Sequence, residues 1–344
     1  MKVKIILSFV FAILMLTSCK IRAQMPKVLT EPARFKLAAD YSREHRGISV
    51  LVMKGDKIVF EDYENSATAD TPWLLFSGTK SFSGAMLCAA IQDRLISGFD
   101  EKVSDTITEW KSDRQKSQIT IRQLLSLTSG VNAGQIGVVP SYKDAINSPT
   151  RFVPGRNFEY GPVPYQAFGE LMTRKLKAKN ETVMAYMKRR ILDPLSIRVS
   201  DWRVQNGQPL LPQGASLTAR EWVKFGLFMK NGGKWNGKQL IPKKLLDELI
   251  IGSKANPAYG ITFWLNHPGK NPIGKEIGGA SEIGGGGFAD GLSDLFLAAG
   301  ANNQRLYIIR SLDMVIVRQG RMDNWSDREF LGRLLAGKLG SNRS

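Results

Sequence analysis

Histidine and cysteine are almost missing from this chain, which has two of each in 344 residues. His45 lies in the charged run Arg43-Glu44-His45-Arg46, and His267 in the turn Asn266-His267-Pro268-Gly269. The chain has no Gly-x-Ser-x-Gly elbow for either to serve, so a histidine-based serine triad has no support. A histidine-rich zinc site is excluded by the same scarcity. Cys88 sits in the apolar stretch Ala85-Met86-Leu87-Cys88-Ala89-Ala90 and reads as a small buried hydrophobe rather than a nucleophile. If Cys19 is modified or removed, Cys88 has no disulfide partner within the chain. No finger spacing and no aromatic-plus-basic RNA motif occurs, so nucleic acid is not an expected partner. The net charge of +17 then reads as the solvated positive surface of an envelope protein.

What the N-terminus does contain is informative. Lys2 and Lys4 precede an apolar run over residues 5–16, too short to cross a bilayer in the usual way. This is the layout of a secretory signal within residues 1–24. The run ends in Leu16-Thr17-Ser18-Cys19, which resembles a bacterial lipobox, with Cys19 as the lipidated first residue. A second cut stays open after Ile21-Arg22-Ala23, which would leave Gln24 first. The lipoprotein reading is preferred and implies a periplasmic or membrane-anchored protein; the alternative is a secreted one.

Residues 25–344 read as one unit without repeats or linkers. Strands are expected at 48–53 and 57–63 around the hairpin turn Lys54-Gly55-Asp56, and again at 294–299, 305–310 and 314–318. A helix is expected over 78–95, and residues 100–250 are helix-rich. Thr120-Ile121-Arg122-Gln123, Thr218-Ala219-Arg220-Glu221 and Ser326 with Glu329 have the form of capping boxes. Strands at both ends around a helical middle give an α+β chain: a split part near 30–75 and 255–344, and a helical part near 80–250. A site would lie in the cleft between them.

Two phosphate-binding patterns fail on context. Gly232-Gly233-Lys234-Trp235-Asn236-Gly237-Lys238 has Gln239 where a magnesium-binding hydroxyl should stand, and it follows a helix rather than a strand. Gly284-x-Gly286-x-x-Ala289 lies in the glycine-rich loop 278–291 with no βαβ unit around it. No cofactor is expected from either.

Ser77-Gly78-Thr79-Lys80 is the only Ser-x-x-Lys tetrad in the chain. Residues i and i+3 share a helix face, with Cβ atoms about 5–6 Å apart. Backbone N–H groups at a helix start can hold an oxyanion. Burial beside the positive helix end lowers a lysine pKa, so that Lys80 could take the proton of Ser77. By itself the tetrad does not separate this reading from an N-cap serine beside a solvated lysine.

The wider pattern does. Residues 76–84 (FSGTKSFSG) resemble the nucleophile segment of serine hydrolases related to class C β-lactamases. Residues 119–130 (ITIRQLLSLTSG), 154–160 (PGRNFEY), 218–221 (TARE) and 231–238 (NGGKWNGK) resemble further blocks of that family, in its order. The resemblance covers roughly residues 35–338 and implies a β-lactamase-like fold: an antiparallel sheet flanked by helices, plus an α-helical domain. It implies catalysis without metal or organic cofactor, through Ser77, Lys80 and Tyr160. The family's Tyr-x-Asn appears here as Tyr160-Gly161-Pro162, so Pro162 stands where an amide would orient substrate or lysine.

Its third motif, Lys-Thr-Gly or His-x-Gly, is similar to residues 300–307 (GANNQRLY). That register puts Ala301 at the cation position and Asn303 at the glycine, with Asn302 between them. The backbone N–H of Gln304 would then join that of Ser77 in the oxyanion hole. A looser register, Ala298-Ala299-Gly300, gives the donor role to Ala301. Either register lacks the cation that holds a substrate carboxylate, as in 6-aminohexanoate-dimer hydrolases and related esterases. The implied substrate is a small ester or linear amide. A cell-wall D-Ala-D-Ala peptide or β-lactam is the alternative within the class, and a non-catalytic penicillin-binding-like protein the alternative outside it. Arg305, Arg310 or Arg318 could still supply the missing charge.

Overall fold

The computed structural model describes residues 29–269 and 291–337. Its main sheet is antiparallel, in the order Trp264–Leu265, Leu295–Gly300, Gln304–Ile309, Met314–Gly320, Gly47–Lys54, Lys57–Tyr63. Both ends of the chain therefore build one sheet, and the helical residues between them form the second part. The strands come within a residue or two of the expected bounds. Leu295–Gly300, Gln304–Ile309 and Met314–Gly320 are buried at every position. Strands covered on both faces lose the alternation of a half-wet sheet and read as apolar runs. The helix Glu31–Glu44 and the C-terminal turns 327–336 cover one face, and the helix Ala219–Lys230 covers the other. The first of these helices is not foreseen from sequence, since its apolar face is narrow and its surface is charged.

Lys80–Gln92 is the central helix of the second part, buried continuously from Lys80 to Ala90. A helix apolar all round needs neighbours all round. They include the helix Lys243–Glu248 and the wide turn Lys188–Leu192. The helix Val163–Leu176 crosses Tyr142–Asn147 at Gly169, where a Cβ would lie 2.2 Å from the Tyr142 ring. Only glycine permits that approach. Of the three expected capping boxes one is complete and two form only the N-cap half, the carboxylates of Glu221 and Glu329 turning to Lys224 and Arg333 instead. Thr120 and Gln123 form the full reciprocal box, and Thr218 and Ser326 accept from the N–H groups of Glu221 and Glu329. Residues 232–239 make a small hairpin, Lys234–Trp235 with Lys238–Gln239. The Gln239 amide bonds the carbonyls of Gly232 and Ile241, so this segment is a structural turn. The signal segment with Cys19, and the 284–289 pattern, lie outside the described residues.

Candidate active site

The nucleophile segment is held by a small sheet of its own. Trp73–Leu74 pairs with Ala215–Leu217, and the Leu75 N–H continues the ladder to the Ala215 carbonyl at 2.9 Å. The chain then turns sharply, with Phe76 at φ 48°. A non-glycine residue in that region is strained and persists only where its surroundings impose it. Ser77 follows in a 3-10 turn, Phe76–Thr79, which runs into the helix Lys80–Gln92. The helix proper thus starts two residues later than expected. Thr79 Oγ1 accepts from the Ala215 N–H, and Ser81 Oγ donates to the Gly78 carbonyl, which pins the turn.

Ser77 is half-buried, whereas Lys80 is 4% exposed. Lys80 Nζ lies 3.0 Å from Ser77 Oγ and 3.1 Å from the Pro212 carbonyl. It also sits 4.8 Å from the Tyr160 ring centre and 5.4 Å from that of Tyr165. Burial alone pulls its pKa down to about 7, because an ammonium loses its hydration there. The Pro212 carbonyl and the two ring faces still accommodate the protonated form, so the amine can cycle between states.

Tyr160 is buried against Trp264, Tyr259 and Phe158. Desolvation raises its pKa to about 12, opposed by hydrogen bonding to Ser77 and Trp264 and by the charge of Arg305. Its phenol is therefore neutral across the physiological range and placed to pass a proton. The Tyr165 and Tyr259 hydroxyls bond each other at 2.8 Å behind it. Pro162 is buried as the N-cap of Val163–Leu176 and offers no side-chain polar group to the lysine.

The two registers of the third motif fall on the end of the strand Leu295–Gly300 and the start of Gln304–Ile309. Gly300 abuts the nucleophile turn: a Cβ there would lie 2.0 Å from the Leu75 carbonyl and 3.0 Å from Gly78 N. Along a strand, successive backbone groups face opposite edges. Leu295 O accepts from Asn266 N on the outer edge, so residues 297, 299 and, continuing past the strand end, 301 face that edge beside the turn. Gly300 and Gln304 are ladder partners. The backbone of Gln304 is accordingly turned toward Gly300, not toward Ser77. Its side chain bonds the Asn302 and Gly320 carbonyls and the Gly320 N–H. Gln304, the donor of the first register, thus lies on the ladder to Gly300, and Ala301, the donor of the looser register, follows Gly300 at the strand end. Asn303 is buried, with Nδ2 donating to the Asp323 carbonyl, and is a turn residue rather than a lining one. Asn302 and Asn303 both have positive φ and bend the hairpin.

The three arginines considered as substitute cations are occupied elsewhere. Arg305 forks onto Asp327 at 2.8 and 3.1 Å. Arg310 bonds Asp247 and the Met229 carbonyl. Arg318 bonds Ser42 and the carbonyls of His45, Asn302 and Asn303, with its guanidinium over Trp325. Burial lowers its pKa to about 9. His45 packs tilted against Tyr41 and edge-on to Trp325, and His267 is exposed, so neither joins this site. Cys88 is fully buried with its thiol on the Leu245 carbonyl.

Sequence reasoning misses the Pro212 carbonyl, a backbone group with no signature. It also misses Tyr165, Tyr259 and Trp264, which belong to none of the motifs read from the sequence.

An antiparallel sheet with a helical domain, and a Ser-Lys-Tyr cluster at their junction, define the serine-hydrolase fold class that the sequence resembles. The family model described as Beta-lactamase matches residues 31–269, and the chain belongs to that family. A candidate β-lactamase from Bacteroides dorei DSM 17855 has 18% identity and a TM-score of 0.65, covering 87% of this chain and 94% of its own. A candidate 6-aminohexanoate-dimer hydrolase from Bacillus anthracis has 16% identity and a TM-score of 0.66, with 86% and 78% covered. EstCE1, a hydrolase with promiscuous acyltransferase activity, has 12% identity and a TM-score of 0.64, with 88% and 98% covered. These likenesses establish the fold. No curated protein matches the chain at a significant level.

Proposed function

We propose that the protein is a serine hydrolase that cleaves a small neutral ester or linear amide through an acyl-enzyme on Ser77. The observation that carries this reading is the buried Lys80 amine 3.0 Å from the hydroxyl of the half-buried Ser77. Neutral Lys80 takes the Ser77 proton while Oγ forms a bond to the substrate carbonyl carbon. The carbonyl oxygen becomes an oxyanion, which the Ser77 and Ala301 N–H groups stabilise. On collapse the bond to the leaving group breaks, and Tyr160 relays the proton from Lys80 to the departing alcohol or amine. Water then attacks the acyl carbon with the same pair acting as base, and the acid leaves.

The commitment of Arg305, Arg310 and Arg318 to other partners supports a neutral substrate over a carboxylate-bearing peptide or β-lactam. Pro162 is the one feature that favours a non-catalytic protein of the same fold. Mass spectrometry after exposure to a fluorophosphonate separates the two: a labelled Ser77 supports the hydrolase, and an unlabelled intact protein overturns it. We also propose export and lipid attachment at Cys19, on the strength of residues 1–19 alone.

A further inference from the structure

Buried charge on the far side of the sheet reaches the peptide unit of Gly300, which abuts the turn that carries Ser77. Arg305 Nη1 donates to the Gly300 carbonyl at 3.2 Å and to the Gln304 carbonyl at 3.1 Å. Its Nε and Nη2 are fixed by Asp327, which also accepts from the Tyr307 hydroxyl and the Trp325 indole. Arg305 is 1% exposed, and the Asp327 carboxylate is fully buried. One strand over, Arg318 is the ladder partner of Arg305 and donates to the carbonyls of Asn302 and Asn303. The two guanidiniums thus hold four consecutive-turn carbonyls, of residues 300, 302, 303 and 304.

The Gly300 carbonyl and the Ala301 N–H belong to one planar amide. A charged donor on the carbonyl fixes that plane and draws electron density from the nitrogen, which makes the N–H a stronger donor. We infer that Arg305 is a positioning residue for hydrolysis: through the Gly300–Ala301 peptide it aims and polarises the oxyanion-hole N–H. The inference rests on the proposal that Ser77 is acylated and that the Ala301 N–H is the second donor. It is supported by the field of Arg305 at the site, where it helps hold down the Tyr160 pKa. A solely structural Arg305 would stabilise the hairpin without altering the bond order of a bound acyl carbonyl.

The test compares the full-length protein with R305Q/D327N, which replaces the charged pair by a neutral one, and with R305K. Each is acylated with a slowly released ester carrying a 13C-labelled carbonyl, and the carbonyl stretch is read by difference infrared spectroscopy against the denatured acyl-protein. The wild-type band should lie below the denatured one. In R305Q/D327N it should move back toward it, with acylation slowed about ten- to a hundredfold, less than the roughly 100- to 1,000-fold typical of deleting a donor outright. If the double variant does not fold, R305K is read in its place, since a lysine keeps the charge but not the fork and should shift the band in the same direction. A folded variant with an unchanged band and acylation rate overturns the inference. Absence of any acyl group on wild-type Ser77 refutes the hydrolase reading itself, and the inference with it.

Discussion

If neutral Lys80 is the base, the pH dependence of acylation is set by its burial. An ordinary lysine would be almost wholly protonated at neutral pH, but here desolvation brings the pKa from 10.5 to about 7. kcat/KM for a short p-nitrophenyl ester should therefore rise through about pH 7 and level off above it. Two pH units below that midpoint only about 1% of the amine is neutral, so the rate should be about a hundredfold down. Tyr160, raised to about 12, adds no alkaline limb below about pH 10. A limb centred above about pH 9, or a flat profile, would refute the role given to Lys80.

The same shift makes a thermodynamic prediction. The folded-state pKa lies below the unfolded one, so between about pH 7 and 10.5 the unfolded chain holds more protons at this site. The stability contribution is then fully present above 10.5 and is lost as pH falls through about 7. At about 1.4 kcal/mol per pKa unit the whole difference is roughly 5 kcal/mol. Urea unfolding at about pH 6 and about pH 9 should show wild type gaining about 2.5 kcal/mol relative to Lys80→Met, which cannot titrate. Equal pH slopes for the two proteins would show that Lys80 is hydrated and its pKa ordinary.

Ser77→Ala and Lys80→Ala should each lower kcat/KM by more than about a thousandfold with the fold retained by circular dichroism, and either variant keeping more than about a tenth of the activity would contradict its role. Short neutral esters should be turned over at least about tenfold faster than cephalosporins, because a missing charge-assisted contact costs about 1.5–3 kcal/mol; equal kcat/KM values would promote the β-lactamase alternative. Cys19→Ala should move the protein from the membrane to the soluble fraction, and a mature N-terminus at Gln24 would refute lipidation.

The sheet and the nucleophile helix were legible because their signals are local. Residues 47–53, 304–309 and 314–320 are largely apolar runs flanked by turn residues, and the Ser-x-x-Lys spacing sets its two side chains close together. The third motif was legible only in part. The block GANNQRLY resembles the family stretch in two registers, with Gln304 or Ala301 as donor, and these differ in which edge a backbone group faces. That property depends on the pairing of Gly300 with Gln304 and of the outer edge with Asn266, neither of which a single strand encodes. The buried charges were visible as anomalies, Arg305 and Arg318 each standing within apolar strand residues. Their partners were not, since Asp327 and Ser42 come from distant helices.

Gly300 brings these strands of reasoning to one residue. Any Cβ at this position meets the Leu75 carbonyl and Gly78 N, both backbone atoms of the turn that carries Ser77. Backbone cannot swing aside as a long side chain can, so the hairpin and the turn must separate by an ångström or more. Gly300→Ala should cost about 1–3 kcal/mol in stability, the usual penalty of overpacking. Its effect on catalysis should be larger than that penalty, because the displaced strand end carries the Ala301 N–H away from the position of the oxyanion. Loss of one such donor lowers kcat by about 100- to 1,000-fold. Fluorophosphonate labelling reports the nucleophile turn on its own: Lys80 and Ser77 remain 3 residues apart on one turn and should still react, though more slowly. A Gly300→Ala variant with wild-type kcat/KM on a short ester would show that the second donor lies elsewhere in the molecule, and would remove Ala301 from the site.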